Sequence, residues 1–398
     1  MRKLPGTALF AALLLGVAFV PAPASAAGAE SYVVLLADGS ALSSLAADPA
    51  VSVTHRYESA VRGYSARMTP AAAARLAADP RVALVQRDGV ATIAAQSVPT
   101  GIDRIDAESS PTARINGVDE RVDVDVAVID TGIDLDHPDL NVHTAGAKNC
   151  STGRSADDGN GHGTHVAGTI GAKDDTNGVV GVAPGARVWP VRVLNNNGSG
   201  SWSDIICGID FVTAHANEIE VANMSLGGSG TDSACGSNKD AMHEAICRSV
   251  AAGVTYVVAA GNSAADSASF VPATYGEVIT VSALADFDGR SGGGAAATCR
   301  SDVDDTFADF SNYGADVDLI APGVCILSTW KGGGYNTISG TSMASPHVAG
   351  AAALYQATHP SASPAAVKSA LQAAGTSDWT TSSDPDPAHE PLLRVATF

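Results

Sequence analysis

The chain has 398 residues, of which 45% are hydrophobic, enough to bury a sizeable core in two or three domains. It carries 42 acidic and 23 basic side chains, and this net charge of −19 argues against nucleic acid or an anionic membrane surface as a partner. Acidic surfaces are common among folded proteins, so the charge excludes these partners without indicating any particular one.

The first 26 residues have the pattern of an export signal. Arg2 and Lys3 give a positively charged start, residues 7–20 are apolar, and small residues at 24–26 form a cleavage pattern. The apolar run is shorter than the ~20 residues that a membrane-spanning helix needs, which makes a permanent anchor the weaker alternative. We therefore predict a secreted, extracellular protein that is cut after Ala26 and has no membrane-spanning segment.

Residues 27–93 are predicted to form a small α+β domain. The segments SYVVLLA, YSARM and ALVQR are typical of strands. Thr69 and Pro70 occupy the N-cap and the first position of an alanine-rich segment, which predicts a helix. The following residues, 94–101, are small and polar and predict an exposed linker.

From residue 101 onward, strand-like apolar segments alternate with helical ones. The strands are predicted at 122–130, 186–194, 221–227, 254–262 and 277–283, and the helices around 163–172, 203–217 and 238–252. This alternation predicts an α/β fold of three layers, a mainly parallel sheet with helices on both faces. In such sheets the ligand crevice lies at the carboxyl ends of the strands, where several chemically interesting residues fall.

The exported part of the chain contains six cysteines. An even number in an oxidising compartment favours disulfides over metal ligands, and the sequence holds no CxxC pair. Many connectivities are compatible with six cysteines, and the prediction adopted is sequential: Cys150–Cys207, Cys235–Cys247 and Cys299–Cys325.

An aspartate and a histidine carry the first chemical signals. Asp130 ends an apolar strand, where an ionised carboxylate is costly unless it has a charged or hydrogen-bonding partner. It could be a turn or cap residue, or a carboxylate that holds an imidazole in one tautomer. His162 lies between two glycines just before a helical run, where backbone or substrate can approach closely.

A second histidine, His165, raises zinc binding as an alternative use of this segment. The segment lacks the HExxH spacing and offers no acidic ligand within the motif. The interpretation favoured for His165 is therefore a packed structural histidine.

A serine and an asparagine carry the remaining signals. Ser342 lies in ISGTSMASPHVAG, where Pro346 is expected in the first turn of a helix that begins near the serine. A hydroxyl there lies at the positive end of the helix dipole beside unpaired N–H groups, which favour an oxyanion at an attacked carbonyl. The alternative is a simple N-cap serine. Asn262, in VVAAGNSA, is either a loop residue with positive φ or an amide donor to that oxyanion.

The order of these four residues along the chain makes the combined signal more specific than any one residue alone. Asp130, His162, Asn262 and Ser342 each lie at a glycine-bordered strand-to-loop or loop-to-helix junction, and the order Asp…His…Ser is that of subtilisin-type triads. From residue 94 to about 376 the chain resembles the subtilisin-like serine proteases, and the proteinase K branch in particular. The segments that carry the resemblance include AAQSVPTGIDRIDA, VAVIDTGID, GNGHGTHVAGTIG, NMSLGG, VVAAGN, FADFSNYG and ISGTSMASPHVAG.

The resemblance implies a serine endopeptidase that hydrolyses peptide bonds through an acyl-enzyme. Ser342 would be the nucleophile, His162 the general base and later the general acid, and Asp130 the group that orients and stabilises the imidazolium. The side chain of Asn262, together with the N–H of Ser342, would donate to the oxyanion.

The resemblance also implies three parts of the chain. These are a signal peptide at 1–26, an inhibitor and chaperone prodomain at 27–93, and a subtilisin-like peptidase domain at 94–398. The protein would be a zymogen that cuts itself near Ile93-Ala94. Its expected partners are polypeptide substrates and its own prodomain as inhibitor, and we expect a monomer.

The resemblance implies that a substrate peptide lies between two extended segments and is bound by main-chain hydrogen bonds, which read little sequence. The residues concerned are Gly198, Ser199, Gly200, Ser225, Leu226, Gly227 and Gly228. A wall of Ala259, Ala260 and Gly261 beside Asn262 predicts an open pocket, and therefore a broad specificity with a preference for apolar or aromatic side chains.

Subtilisin-like proteases often bind structural calcium, so calcium is expected here, whereas a catalytic metal is not. Residues 284–306 are expected to form a long surface loop that carries the hard oxygen donors that calcium prefers: Asp286, Asp288, Asp302, Asp304 and Asp305. A solvated acidic loop is the alternative, so the calcium ligands stay unassigned.

Two other functions compete with this interpretation. An α/β-hydrolase esterase is the enzyme alternative, because GTSMA nearly matches the G-x-S-x-G elbow. That fold needs its acid and its histidine after the serine, and only the crowded end of the chain offers them. The other alternative is a noncatalytic peptide-binding protein, which the loss of a triad residue would favour; none is lost.

Overall fold

The computed structural model describes residues 29–37, 51–88 and 96–398. The chain divides into two compact units, residues 1–93 and 94–398. The predicted signal peptide and the predicted cleavage site near Ile93-Ala94 lie outside the described residues. In the described part of the chain, no helix is long and apolar enough to cross a membrane.

The first unit is a small α+β domain, as predicted. Its antiparallel sheet has the order β2-β3-β1-β4, and the strands are β1 (Glu30–Leu36), β2 (Ser52–Tyr57), β3 (Gly63–Met68) and β4 (Val82–Arg87). Helix α1 (Pro70–Ala77) begins where the sequence predicts it, because the Thr69 hydroxyl accepts a hydrogen bond from the N–H of Ala72. Strand β2 was missed, since most of its residues are exposed and polar.

The second unit is built on an eight-stranded sheet. Its strands are β5 (Asp125–Asp130), β6 (Lys148–Asn149), β7 (Arg187–Arg192), β8 (Val221–Met224), β10 (Thr255–Ala259), β12 (Ile279–Ala285), β13 (Thr306–Phe307) and β14 (Leu319–Pro322). The order is β13-β12-β10-β8-β5-β7-β6, with β14 also paired to β12, and every pairing except β12–β13 is parallel. The mainly parallel sheet is therefore confirmed.

Helices cover both faces of this sheet. They are α2 (Thr100–Arg104), α3 (His162–Gly171), α4 (Trp202–Ala214), α5 (Ala241–Ala251), α6 (Thr341–Thr358) and α7 (Pro364–Ala374). Successive β5 residues point to opposite faces, so Val126 and Val128 pack in the core shared with α3, α6 and α7. Ala127 and Ile129 pack in the core shared with α4 and α5. The three layers are those that the sequence predicts.

Two small sheets were not predicted. Strands β9 (Gly228–Ser229) and β11 (Phe270–Val271) form an antiparallel pair, and β15 (Ile326–Trp330) and β16 (Gly334–Ile338) form a hairpin. The hairpin has a recognisable signal in the alternation of ILSTW and YNTI around a glycine-rich turn.

The prediction of an exposed linker at 94–101 is wrong for residues 96–101, the part that the structure describes. The N–H groups of Gln96 and Ser97 donate to the carbonyls of Thr176 and Gly178, and Thr100 already begins α2. This segment is held by main-chain hydrogen bonds to a distant loop. The prediction rested on its small, polar side chains, which do not reveal main-chain bonds.

The surface loop predicted at 284–306 is also wrong in part, because three of its carboxylates are buried. Asp286 and Asp305 both pair with the buried guanidinium of Arg104. Asp304 accepts hydrogen bonds from the N–H groups of Phe287 and Ala295. Ion pairs and main-chain hydrogen bonds of the buried carboxylates thus stabilise the conformation of this loop.

All three disulfides pair sequentially, as predicted: Cys150–Cys207, Cys235–Cys247 and Cys299–Cys325. Cys207 and Cys247 lie in the helices α4 and α5, so two of the bridges attach loops to the layer on one face of the sheet. No cysteine is free in the described part of the chain.

Candidate active site

The four residues singled out by the sequence lie at one edge of the central sheet. Asp130 is the last residue of β5, and Asn262 follows the end of β10 by three positions. His162 is the first residue of α3 and Ser342 is the second residue of α6, two helices that pack in the same core. The carboxyl ends of parallel strands and the starts of helices meet at this edge, which is where α/β sheets bind ligands.

Asp130 and His162 are in direct contact. The Nδ1–H of His162 donates to Oδ1 of Asp130 over 2.8 Å, and the Asp130 side chain is completely buried. Burial lowers the pKa of His162, but attraction to Asp130, their hydrogen bond and a further contribution from Asp158 outweigh it and raise the pKa. The hydrogen bond fixes the tautomer and leaves Nε2 free to accept a proton.

Glycine is required on both sides of His162. Gly161 has φ +114°, a left-handed conformation that favours glycine, and an added Cβ would collide with the ring of Trp330. A Cβ on Gly163 would collide with the carbonyl oxygen of Gly132. The close approach that the sequence suggests is therefore observed at both positions.

A second carboxylate, Asp158, shapes the His162 loop, and the sequence analysis missed it. It is buried and accepts hydrogen bonds from the hydroxyls of Thr131 (2.9 Å) and Thr164 (2.6 Å). It also accepts from the N–H groups of Gly161 and Thr164 at the start of α3. An acidic residue shortly before a helix is a recognisable capping signal, but only its partners reveal its place beside the histidine.

Ser342 faces the cleft, and its hydroxyl donates to the carbonyl of Ser225 over 3.3 Å. The predicted place of Pro346 is wrong, because α6 begins at Thr341 and the proline lies in its second turn. A proline there removes the N–H that would bind the Ser342 carbonyl four residues earlier. The hydroxyl of Ser225 replaces it, donating to that carbonyl over 2.8 Å.

Ser225 is itself held in place by buried polar groups. Its hydroxyl accepts from the side-chain amide of Asn223 over 2.9 Å and contacts the Ser345 hydroxyl at 2.9 Å. All three residues are buried, and the most exposed of them, Ser225, has an exposed fraction of only 4%. The start of α6 is thus attached to the end of β8 through side chains, which no local sequence pattern predicts.

The amide of Asn262 is oriented by Thr341, another residue that the sequence analysis missed. The N–H and the hydroxyl of Thr341 donate to Asn262 Oδ1 over 2.8 and 3.0 Å. This leaves Nδ2 of Asn262 as a donor toward the cleft. A Cβ on Gly340 would lie 3.6 Å from the N of Ser342 and 3.7 Å from Nδ2 of Asn262, so both donors border the space beside Gly340.

Two cavities adjoin these residues. The larger, of about 690 Å³, is lined by His162 together with Gly198, Ser199, Gly200, Ser225, Leu226, Gly227 and Gly228. The smaller, of about 230 Å³, is lined by Asn262 and Ser342 together with Leu226, Gly227, Gly228, Ala259, Ala260 and Gly261. Every predicted substrate-binding residue therefore lines a cavity. Trp202, which is 43% exposed, also lines the larger cavity and was missed by the sequence analysis.

His165 is packed rather than exposed to a ligand. It is completely buried, and its Nε2–H donates to the carbonyls of Ile326 (2.9 Å) and Asn336 (3.2 Å). Burial lowers its pKa to about 3. Among the described residues, it belongs to neither of the side-chain clusters that could hold a metal ion.

One buried carboxylate has the surroundings of a cation ligand. Asp139 accepts from the N–H of Val179 through Oδ2, whereas its buried Oδ1 has no hydrogen-bond partner. Burial raises its pKa to about 7. Nearby, the Nε2–H groups of Gln96 donate to the carbonyl oxygens of Lys173 (2.7 Å) and Val179 (3.4 Å). Carboxylate and carbonyl oxygens are the hard donors that calcium prefers.

The acidic loop at 284–306 fits a cation less well. Asp286, Asp288 and Asp304 form a cluster that could hold a metal ion. However, Asp304 already accepts two main-chain hydrogen bonds, and Asp286 pairs with Arg104. Of the two remaining carboxylates, Asp302 pairs with Arg300 and Asp305 pairs with Arg104. Arg104 and Arg300 thus balance part of the negative charge of this loop, although burial still raises the pKa of Asp286 to about 7.

Comparison with known proteins gives concordant results. Residues 122–387 match the model of the subtilase family, and residues 23–94 match that of the peptidase inhibitor I9 family. The chain is 43% identical over 321 residues to "Extracellular serine proteinase" of Thermus sp. (strain Rt41A), covering 79% of this chain and 71% of that one. It is 37% identical over 383 residues to "Alkaline protease" of Shouchella clausii, covering 92% of each.

A solved structure is also similar. It is that of a cold-adapted subtilisin-like serine proteinase, with a TM-score of 0.59 and 35% identity, covering 74% of this chain and 97% of the other.

Proposed function

The chain belongs to the subtilase family and is a serine endopeptidase with an inhibitor prodomain, and we propose that Ser342, His162 and Asp130 are its catalytic triad. The observation that carries this assignment is the 2.8 Å hydrogen bond from His162 to the buried Asp130. It lies in a cleft that continues to Ser342 and to the amide of Asn262.

The proposed reaction begins with attack of Ser342 Oγ on the scissile carbonyl, while Nε2 of His162 takes the hydroxyl proton. The Ser342 hydroxyl must first leave the carbonyl of Ser225, a long contact of 3.3 Å that costs little to break. Asp130 stabilises the imidazolium by charge and by its hydrogen bond. His162 then protonates the leaving amine and later activates water, which hydrolyses the acyl-enzyme.

The oxyanion would be bound between two neutral donors. These are Nδ2 of Asn262 and the N–H of Ser342, which border the space beside Gly340. Thr341 holds the Asn262 amide in the required orientation before substrate arrives. Preorganised donors of this kind stabilise the developing charge without reorganisation during the reaction.

A broad specificity with a preference for apolar or aromatic side chains is proposed for the smaller cavity. Its described lining consists of small, apolar and neutral polar residues, with Ala259, Ala260 and Gly261 along one wall. Its volume of about 230 Å³ is large enough for an aromatic side chain. The larger cavity, bordered by residues 198–200 and 225–228, would bind the substrate main chain.

Secretion and self-processing are also proposed. The match of residues 23–94 to the peptidase inhibitor I9 family and the name of the Thermus relative, "Extracellular serine proteinase", support an exported zymogen. In this proposal the prodomain inhibits the enzyme until cleavage near Ile93-Ala94, and the mature enzyme is a monomer that acts on polypeptides.

Structural calcium is proposed at Asp139. The unpaired, buried Oδ1 of this carboxylate and the carbonyls of Lys173 and Val179 would hold it. The cation would neutralise a carboxylate that burial otherwise disfavours and would stabilise the loop that follows α3. It would take no part in the chemistry.

The nucleophile is tested by comparing proteolysis of an unfolded protein substrate. Ser342→Ala should lower kcat by ~10⁶-fold. As a matched control, Ser301→Ala changes an exposed serine outside the site and should leave kcat unchanged. Ser342→Ala should also accumulate as a precursor that is still joined at Ile93-Ala94. Undiminished proteolysis would rule out Ser342 as the nucleophile, and normal processing of this variant on its own would refute self-cleavage.

A further inference from the structure

Four potential metal ligands surround the disulfide between Cys235 and Cys247. His243 and Cys247 are four residues apart on α5 and therefore share one face of the helix. Cys235 lies in the loop before α5, and Glu277 lies just before β12. One ligand atom from each of the four side chains lies within 4.8 Å of the others.

Apart from the two sulfurs, which are bonded to each other, the separations measured between these side chains are close to those of a tetrahedral zinc site. With Zn–S bonds of ~2.3 Å and Zn–N or Zn–O bonds of ~2.0 Å, adjacent ligand atoms lie ~3.3–3.8 Å apart. Sγ of Cys235 lies 3.0 Å from Oε1 of Glu277 and 4.0 Å from Nε2 of His243. Nε2 of His243 lies 2.7 Å from Oε2 of Glu277. Shifts of about half an ångström would bring Sγ of Cys235, Nε2 of His243 and one Glu277 oxygen to zinc-binding distances, and on reduction the two bonded sulfurs would separate to ~3.8 Å.

The histidine is also oriented as a zinc ligand would be. Its buried Nδ1 has no hydrogen-bond partner and lies 3.3 Å from a carboxylate oxygen of Asp232, so a small shift would let Nδ1–H donate to this carboxylate and leave Nε2, 4.0 Å from Sγ of Cys235, as the ligand atom. This carboxylate–histidine arrangement is the usual outer support of histidine ligands of zinc. The ring is buried and stacks on Tyr275 with 4.0 Å between the ring centroids, which fixes its orientation by packing.

We propose that reduction of the Cys235–Cys247 disulfide converts this cluster into a Zn²⁺ site with Cys235, Cys247, His243 and Glu277 as ligands. A thiol or phosphine reductant supplies two electrons, and with two protons the disulfide becomes two thiols while the reductant is oxidised. Each thiol then loses its proton as its sulfur binds Zn²⁺, and no further electron moves. The metal would replace the covalent bridge between the loop and α5.

The proposal is specific to this disulfide. In the described residues, neither Cys150–Cys207 nor Cys299–Cys325 belongs to a cluster of histidine and acidic side chains that could hold a metal ion. Cys235 is exposed and Glu277 is half-buried, so reductant and metal can reach the site from solvent. The other two disulfides therefore serve as internal controls.

The test uses the full chain with Ser342→Ala, which prevents self-digestion. The protein is reduced with a phosphine in excess Ca²⁺, which occupies oxygen-rich sites, then given Zn²⁺ and passed through a desalting column. We expect one retained Zn²⁺ per reduced chain by elemental mass spectrometry and none per oxidised chain. With Co²⁺ in place of Zn²⁺, the reduced chain should show thiolate-to-metal charge transfer and tetrahedral absorption bands.

Substitutions separate this site from unspecific thiol binding. Cys235→Ser with Cys247→Ser should abolish zinc retention, whereas Cys299→Ser with Cys325→Ser should preserve it. Asp232→Asn, which removes only the outer carboxylate, should weaken binding by ~10–100-fold. Equal zinc retention by the two double variants would overturn the proposal. So would a folded, reduced chain that retains no Zn²⁺ although alkylation shows both Cys235 and Cys247 to be free thiols.

Discussion

The proposed catalytic site is built from charged groups at one end and from neutral groups at the other. At the first end His162 lies beside two buried carboxylates, Asp130 and Asp158. Together they raise its pKa, although burial on its own would lower it. Negative charge is thus concentrated where a cation forms during the reaction.

At the other end, the described hydrogen-bond partners of Ser342 and Asn262 are hydroxyls and main-chain groups. Thr341 orients the amide of Asn262, and Ser225 binds the carbonyl of Ser342. A carboxylate here would repel the oxyanion that must form between the two donors. This site therefore combines orientation with charge at the histidine and uses orientation alone at the oxyanion.

The largest effect is expected at the charged end. Asp130→Asn should lower kcat by ~10⁴-fold, because the imidazole loses its tautomer and the imidazolium loses its partner. Since neutral His162 is the active form, activity is lost as the pH falls through its pKa. Asp130 raises that pKa. The variant's acid limb of kcat/KM should therefore move to lower pH.

The matched control for this variant is Asp210→Asn, which neutralises an exposed carboxylate on α4 and should leave both the rate and the pH profile unchanged. An acid limb at the same pH in Asp130→Asn and in the parent would show that Asp130 does not control the titration of His162.

The neutral end should respond to added charge. Asn262→Ala should lower kcat by ~10²–10³-fold, because one oxyanion donor is lost. Asn262→Asp should lower kcat further, since a carboxylate cannot donate a hydrogen bond and repels the oxyanion. In both variants kcat and KM are measured separately, and KM should change little. If the aspartate variant were as active as the alanine variant, the requirement for neutrality at this end would be wrong.

A smaller effect is expected at Ser225. Ser225→Ala leaves the carbonyl of Ser342 without its donor and should lower the free energy of unfolding by ~1–3 kcal/mol. It should also lower kcat, on the order of 10-fold, because the start of α6 shifts. Pro346→Ala restores the N–H that reaches the same carbonyl, so the double variant should lose less than the sum of the two single losses. Strictly additive losses in thermal unfolding and in kcat would contradict this role.

The smallest effect on activity is expected at Asp139, a carboxylate whose burial is only weakly offset by the charge of Lys173. Without calcium, burial raises its pKa to about 7. The folded state then binds a proton that the unfolded state has lost above about pH 4. The free energy of unfolding should therefore fall as the pH rises through 7. With calcium bound this fall should disappear.

Thermal unfolding with and without a chelator checks this prediction. The chelator should lower the unfolding temperature of the parent at neutral pH and have much less effect on Asp139→Asn. An equal effect of the chelator on both would place the calcium elsewhere.

The sequence predicts the elements that carry the site, because each is a continuous buried run with a clear boundary. Strand β5 is apolar up to Asp130, and α3 begins at a histidine between two glycines. Contacts between distant side chains could not be predicted. Asp305 looks like a solvated loop residue, yet it binds Arg104, 201 positions away. Likewise, Pro346 lies in the second turn of α6 and leaves a carbonyl for Ser225, and only the folded structure brings these residues together.

In the proposed mechanism His162, supported by Asp130, activates Ser342 as a nucleophile. The most direct measurement is the rate and site of labelling by a phosphonyl fluoride, read by peptide mass spectrometry on the parent and on His162→Ala. We expect a single labelled residue, Ser342, and loss of labelling in His162→Ala. Labelling of a different serine, or equally fast labelling of Ser342 in the variant, would contradict this mechanism.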